Sequence, residues 1–410
     1  MNLKNLKLLL TFAVMLSVSL AAYAAHKDDI RRVASEGIKE LEIGGEYELD
    51  YKFVDGDFQD NPDDEESFIE HELDIAFKLG LGEGVTAEGS MEYADGTFGN
   101  AGDDHALGDD NNVDVEEAFI NVAFEALEFT GGKFNFALPW AFDHSPVLDD
   151  EGTGMALGLG SVTLGWLRAA DFTEMTDDKA DVLMVMANLK SGGMKLEPYA
   201  VCELLGQDSG DEREGYWIGA ALEMKAGSLG IEADAVWGRR DHRDPAATEA
   251  EGWMADAKVS VKMAGVEPNI FVLYSTADDD NADESETLPT ISGDFEPFLL
   301  FEDSYSGNGS ITDGVLMVGG GLDGISFIPG LEHDLVVAYI EGDGDEAVTA
   351  NTSLNHEDSD ALEIDFKNSI KMKDGMVQLY LDLAWAQGDF EGIDDDENLA
   401  FAELGMEVEF

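Results

Sequence analysis

Carboxylates recur at every second residue through much of this chain. Glu42, Glu46 and Glu48 form one such set. Glu70, Glu72 and Asp74 form another, followed by Glu88 and Glu92, and by Glu232 and Asp234. A β-strand turns successive side chains to opposite faces, so each set lies on one face of its strand. Walls of Asp and Glu favour cations, whereas Arg and Lys favour anions. Basic residues on the same faces are few: Lys52, Lys78, Lys258 and Lys262. No ladder of Arg is present. A lumen built from these faces is expected to prefer cations or exclude polyanions, by collective charge more than by any one residue.

Other chemistries find little support. The seven His residues are scattered and none has the spacing of an H-E-x-x-H metal site. A single cysteine, Cys202, excludes a disulfide framework and lacks a His/Asn constellation that would make it a nucleophile. Neither a G-x-S-x-G elbow nor a P-loop occurs, so an enzyme is not expected. Dense acid runs, Asp63–Glu66, Asp278–Asp280 and Asp394–Glu397, offer oxygen ligands for hard cations. None matches an EF-hand loop. These runs read as a solvated acidic surface with diffuse Ca²⁺ or Mg²⁺ association and no specific metal or cofactor. With Lys+Arg 23 against Asp+Glu 89 and a net charge of −66, nucleic acid is not an expected partner.

The elements that hold these carboxylates follow from the alternation itself. Leu41, Ile43, Gly45, Tyr47, Leu49, Tyr51 and Phe53 stand opposite Glu40, Glu42, Glu46, Glu48, Asp50 and Lys52. The same period of two returns around Asp74, along Trp253–Met263 and along Val377–Trp385. Each run is about the 9–11 residues that a tilted membrane strand needs. Connections alternate between short, as at Ser191–Gly193 and Lys373–Gly375, and long, as at Ala277–Thr312 and Gly342–Ser359. That rhythm predicts an all-β transmembrane antiparallel barrel with short periplasmic turns and long acidic outer loops. Eighteen strands can be counted, or sixteen if the Gly-rich stretches Met155–Gly160 and Val315–Gly320 do not form strands. Such a barrel is wide enough to hold water.

Both ends fit an exported barrel. Lys4 and Lys7, the apolar run Leu8–Leu20 and the A-x-A triplet Ala22–Ala24 predict a signal peptide over 1–24, cleaved between Ala24 and Ala25. Residues 25–40 are expected as a periplasmic N-terminal segment and 41–410 as the barrel. The chain finishes on an apolar face, Leu404, Met406, Val408 and Phe410, and the terminal Phe410 resembles the assembly signal of outer-membrane proteins.

Four stretches resemble a known group. They are Val115–Val122 (VEEAFINV), Gly131–Asp149 (GGKFNFALPWAFDHSPVLD), Leu288–Ile291 (LPTI) and Ser326–Tyr339 (SFIPGLEHDLVVAY). Together they look like the homotrimeric outer-membrane porins of sulfate-reducing bacteria, general diffusion porins. The resemblance implies a trimer of barrels, each with its own pore; the expected partners are outer-membrane lipid, small hydrophilic solutes and, from the acidic faces, cations. It also implies that the loop around Ala137–Gly152 folds inward and narrows the lumen. Asp143, His144, Asp149, Asp150 and Glu151 are then the candidate constriction residues. Two alternatives remain at this point: a substrate-specific channel for a metal–ligand complex or a carboxylate, and a structural or adhesive barrel.

Overall fold

The computed structural model describes residues 39–55, 65–82, 84–98, 113–124, 127–169, 180–205, 213–242, 249–277, 284–291, 295, 299, 314–328, 330–342, 359–372, 376–389 and 397–409. The expected signal peptide with Ala24 and Ala25, nearly all of the segment 25–40, most of the acid runs and Phe410 lie outside the described residues.

Eighteen long strands form one wall: β1 (Glu40–Asp55), β2 (Glu65–Gly82), β3 (Val85–Phe98), β4 (Val113–Phe124), β5 (Leu127–Ala137), β6 (Asp149–Leu159), β7 (Val162–Ala169), β8 (Ala180–Ala187) and β9 (Met194–Leu205). The second half comprises β10 (Arg213–Ala226), β11 (Leu229–His242), β12 (Glu249–Val261), β13 (Glu267–Ser275), β14 (Val315–Ile328), β15 (Leu331–Gly342), β16 (Asp360–Met372), β17 (Val377–Asp389) and β18 (Glu397–Glu409). Leu189–Ser191 prolongs β8 along β9, and Glu284–Ser285 pairs in parallel with the start of β12. Each long strand is antiparallel to its chain neighbours, and β18 closes on β1 from Glu46↔Glu409 to Asp55↔Ala400. Closure leaves none of the described long strands at an open edge, which a lipid environment demands. The Gly-rich stretches that separate a count of sixteen from eighteen belong to β6 and β14, so the larger strand number holds.

Two-residue periodicity sorts the side chains. Ile218, Ile270 and Leu404 point outward and are 58–67% exposed to solvent, a position that makes sense for lipid contact. Trp237, Trp253, Tyr274, Tyr339 and Trp385 also face outward, towards the ends that carry the long connections. They form one interfacial girdle, and the Trp253 and Tyr274 rings lie 5.0 Å apart. The tight turns sit at the opposite end. Gly192 and Gly193 both have positive φ there, a conformation that glycine adopts without steric cost.

The interior is not uniform. The inward face of β7 to β17, on the long-loop side, is largely apolar: Leu167, Val182, Met184, Val201, Trp217, Val236, Met254, Leu273, Met317 and Ile340 are all buried. Two inter-strand segments cover it, the β5–β6 connection 138–148 and part of the β13–β14 connection. Leu138, Val147, Leu148, Leu288, Ile291 and Leu299 are buried against this wall. Each such side chain contributes about 1.5–3 kcal/mol when removed from water.

Candidate functional site: an asymmetric lumen

The two inserted segments are held by specific polar contacts. Asp234 of β11 accepts the backbone N–H groups of Ala141 and Phe142 at 2.9 and 3.0 Å. Ile291 N–H donates to the Val147 carbonyl at 2.8 Å, joining one segment to the other. Trp217 Nε1 donates to the Pro289 carbonyl at 2.6 Å. The Arg240 guanidinium donates to the Thr290 carbonyl at 2.6 Å and to Glu203 at 3.0 Å, and lies 5.4 Å from the Trp217 ring. Glu203 is completely buried, so this ion pair stands in a low-dielectric setting. Trp140, Phe142 and Phe295 meet ring to ring at 6.3 Å separations, and Phe142 reaches Phe271 of the wall at 5.4 Å.

On the other side of the lumen the wall stays wet. A cavity of about 670 Å³ is bounded by β1–β3 and β15–β18. Its carboxylates are Glu48, Asp50, Glu72, Glu92, Asp334, Asp382, Glu403 and Glu407; its cations are Lys52 and Lys367. Lys52 is tied to Glu403 at 3.5 Å. The Tyr380 hydroxyl lies against both Glu48 and Asp50, crossing from β17 to β1. Gly405 makes that crossing possible, because a Cβ there would run into the Tyr380 ring and the Asp50 carboxylate. Glu72, Glu92 and Glu116 bring one carboxylate oxygen each to within 4.8 Å of the others. Nearer the turn end, Lys78 pairs with Glu88 at 2.9 Å and Lys195 with Glu197 and Glu223 at 2.7 Å.

The carboxylates singled out from the sequence separate into two groups. Glu42, Glu46, Glu48, Glu72, Asp74, Glu88 and Glu92 fall on the inward face of three adjacent strands, where Glu46 is in register with Asp74 and Asp74 with Glu92. Glu70 is in register with Asp50 on the same face, and its side chain is outside the described set. Glu232 and Asp234 lie on the far wall. Glu232 faces Lys258 across the strand pair, and Asp234 is covered by the inserted segment it caps.

The candidate constriction residues also divide. His144 Nδ1 and the Asp149 carboxylate meet at 2.9 Å, and Asp149 takes a further bond from the Asn135 amide at 3.2 Å. Asp150 is in register with the inward Phe136, while Asp149 and Glu151 are on the alternate face. Asp143 is half-buried, and the Glu151 side chain is not described. The segment that carries Asp143 and His144 packs against the inward wall, and its most buried apolar side chains are Leu138, Val147 and Leu148, with Trp140 and Phe142 partly buried beside them. Sequence reasoning did not single out the acids of β16–β18. Asp382, Glu403 and Glu407 keep the same alternation and could have been read from it.

No family model and no curated protein matches the sequence. Solved structures do match in shape. OpdL of Pseudomonas aeruginosa shares 13% identity and a TM-score of 0.62, over 91% of this chain and 99% of that one. OccAB3 of Acinetobacter baumannii gives 14%, 0.59, and 91% and 100% coverage. The outer membrane protein opdK from Pseudomonas aeruginosa gives 12%, 0.56, and 91% and 100%. At these identities the likeness establishes a shared fold, the closed outer-membrane barrel.

Proposed function

We propose that this chain is an outer-membrane porin, a water-filled channel for passive diffusion of small hydrophilic solutes and ions, with preference for cations. The observation that carries the sign is the composition of the wet side of the lumen, eight carboxylates against two lysines. Three further inward lysines have carboxylate partners, Lys78 in Glu88, Lys195 in Glu197 and Glu223, and Lys258 in Asp323 at 3.6 Å. The remaining field in the lumen is negative, and a low-dielectric wall focuses it on passing ions.

The test is single-channel conductance in a planar bilayer under a KCl gradient. A reversal potential of cation sign supports the reading; one of anion sign ends it. The homotrimer suggested by sequence resemblance predicts openings in groups of three and a crosslinked species of three chains. A substrate-specific channel is the second reading, favoured by the aromatic surface of Trp140, Phe142 and Phe295 within the lumen. It predicts flux that saturates with solute concentration, whereas a diffusion channel gives flux linear in concentration.

A further inference from the structure

Behind the inserted segment lies a group of buried polar atoms that the channel reading does not use. Asp234 and Asp256 stand in register on β11 and β12, with 3% and 5% of their surface exposed. Asp234 is occupied by the Ala141 and Phe142 N–H groups. Both oxygens of Asp256 are buried without a hydrogen-bond partner. The Tyr199 hydroxyl, on a side chain 3% exposed, is likewise unpartnered. Its ring lies over Gly219, and its hydroxyl is within electrostatic reach of both carboxylates. The Trp140 indole N–H, also buried, is directed at Asp256 from the inserted segment.

We propose that Asp234, Asp256 and the Tyr199 hydroxyl bind a hard cation of the calcium class, its shell completed by water, which pins the inserted segment to the barrel wall. Buried polar groups in native proteins are almost always satisfied, so the Tyr199 hydroxyl and the Asp256 oxygens, oxygen atoms within electrostatic reach of one another, call for a guest. Charge chooses the guest. Two adjacent carboxylates withdrawn from water repel each other and, among the described residues, carry no buried countercharge, a cost of several kcal/mol per ion. The nearest lysine on the same strand face, Lys258, is directed to the Phe142 ring at 5.7 Å and to Asp323. A water molecule would fill the hydrogen bonds and leave the charge. A hard cation takes carboxylate and hydroxyl oxygens and neutralises the pair. In the filled site each carboxylate keeps a second lone pair for its N–H donors: Ala141 and Phe142 on Asp234, and Trp140 on Asp256. The site is separate from the wet wall and does not depend on the sign of the channel's selectivity.

Terbium is the probe, because Trp140 lies close enough to sensitise its emission. The full chain in detergent is titrated with Tb³⁺ over excess Mg²⁺, which occupies the exposed carboxylates. One saturable, Trp-sensitised site per chain is expected, displaced by Ca²⁺. Asp256→Asn should weaken it about tenfold or more. Trp140→Phe should reduce the emission to the part sensitised by Tyr199 and the other aromatic rings, and leave Ca²⁺ binding, read by calorimetry, in place. Heat-dependent electrophoretic mobility verifies that each variant is folded. Absence of a saturable sensitised site in folded wild type overturns the proposal, as does unchanged emission in folded Asp256→Asn. An Asp256→Asn barrel more heat-resistant than wild type, with no Tb³⁺ site in either, overturns it too and shows a proton in place of the cation.

Discussion

The two sides of the lumen are made from the same strand geometry and end in opposite states. Around β7–β14, on the long-loop side, most inward positions are Leu, Val, Met and Trp, with Glu203, Asp234 and Asp256 among them, and chain segments fill the space. Around β1–β3, β18 and the turn-side halves of β15–β17 they include Glu, Asp, Lys and Tyr, and about 670 Å³ remains open. Backbone pairing is continuous through both, so the sheet itself does not decide where the channel runs. The decision lies in the inward residue of each pair. An apolar inward face drives an adjacent connection to bury against it, and a charged face keeps its water.

The largest expected effect breaks the dry side. Leu148 is completely buried in the segment that crosses the lumen. Leu148→Glu would place an uncompensated charge there, at a cost on the order of 3–5 kcal/mol. The segment is expected to leave the wall, and single-channel conductance should rise severalfold. Unchanged conductance in a folded barrel would mean that the segment does not limit flow.

Next comes the Arg240–Glu203 pair that anchors the second segment. Arg240→Met leaves Glu203 buried without its guanidinium, again about 3–5 kcal/mol. The temperature at which the barrel loses its folded electrophoretic mobility should fall. Adding Glu203→Leu should recover most of the loss, since replacing both charges by apolar groups is often neutral. Failure of the second change to recover stability would mean that the two residues act independently.

Much of the wet side is legible in the sequence, and little of the dry side is. Alternation places Glu42 to Glu92 on one face with no further information, because a strand has only two faces. The same logic reaches Asp382, Glu403 and Glu407. The dry side depends on which connection lies over which strand, and that is a long-range contact without a local pattern. A trace of it is present. β8 reads Val182, Leu183, Met184, Val185, Met186, apolar on both faces, as is β14 from Val315 to Val318. A barrel strand that meets lipid outside and water inside has no use for a second apolar face, so such strands mark where something dry covers the wall. Asp234 shows the converse. Its position on the inward face is readable, but its burial beneath Ala141 and Phe142 follows from contacts 93 and 92 positions away in the chain.

Salt separates the two sides without any mutation. The Debye length falls from about 30 Å at 0.01 M to about 3 Å at 1 M. Cation preference set by the exposed carboxylates should therefore decline steeply across that range. Conductance per unit of bulk conductivity should fall over the same range, as the cations gathered by the wet wall cease to dominate, and level off near 1 M at a value set by how far the inserted segments obstruct the lumen. A preference that persists at 1 M would move the filter from the wet wall to a desolvated site.

The smallest effect tests whether the wet wall acts collectively. Lys52 pairs with Glu403 at 3.5 Å, with side-chain exposures of 24% and 13%. The pair is part-buried but borders the water-filled cavity, where such a pair contributes about 1 kcal/mol or less to stability. Lys52→Gln should leave the heat resistance of the barrel almost unchanged. It removes the cation beside Glu403, so the lumen becomes more negative and the reversal potential should move further in the cation direction, by a few millivolts. Charge-neutral substitution at Glu403 should move it back by a similar amount. Equal and opposite shifts would show that each charge contributes to one summed field. A large shift from Lys52 alone would instead place the narrowest point of the channel at that lysine, and the selectivity would then belong to a single residue.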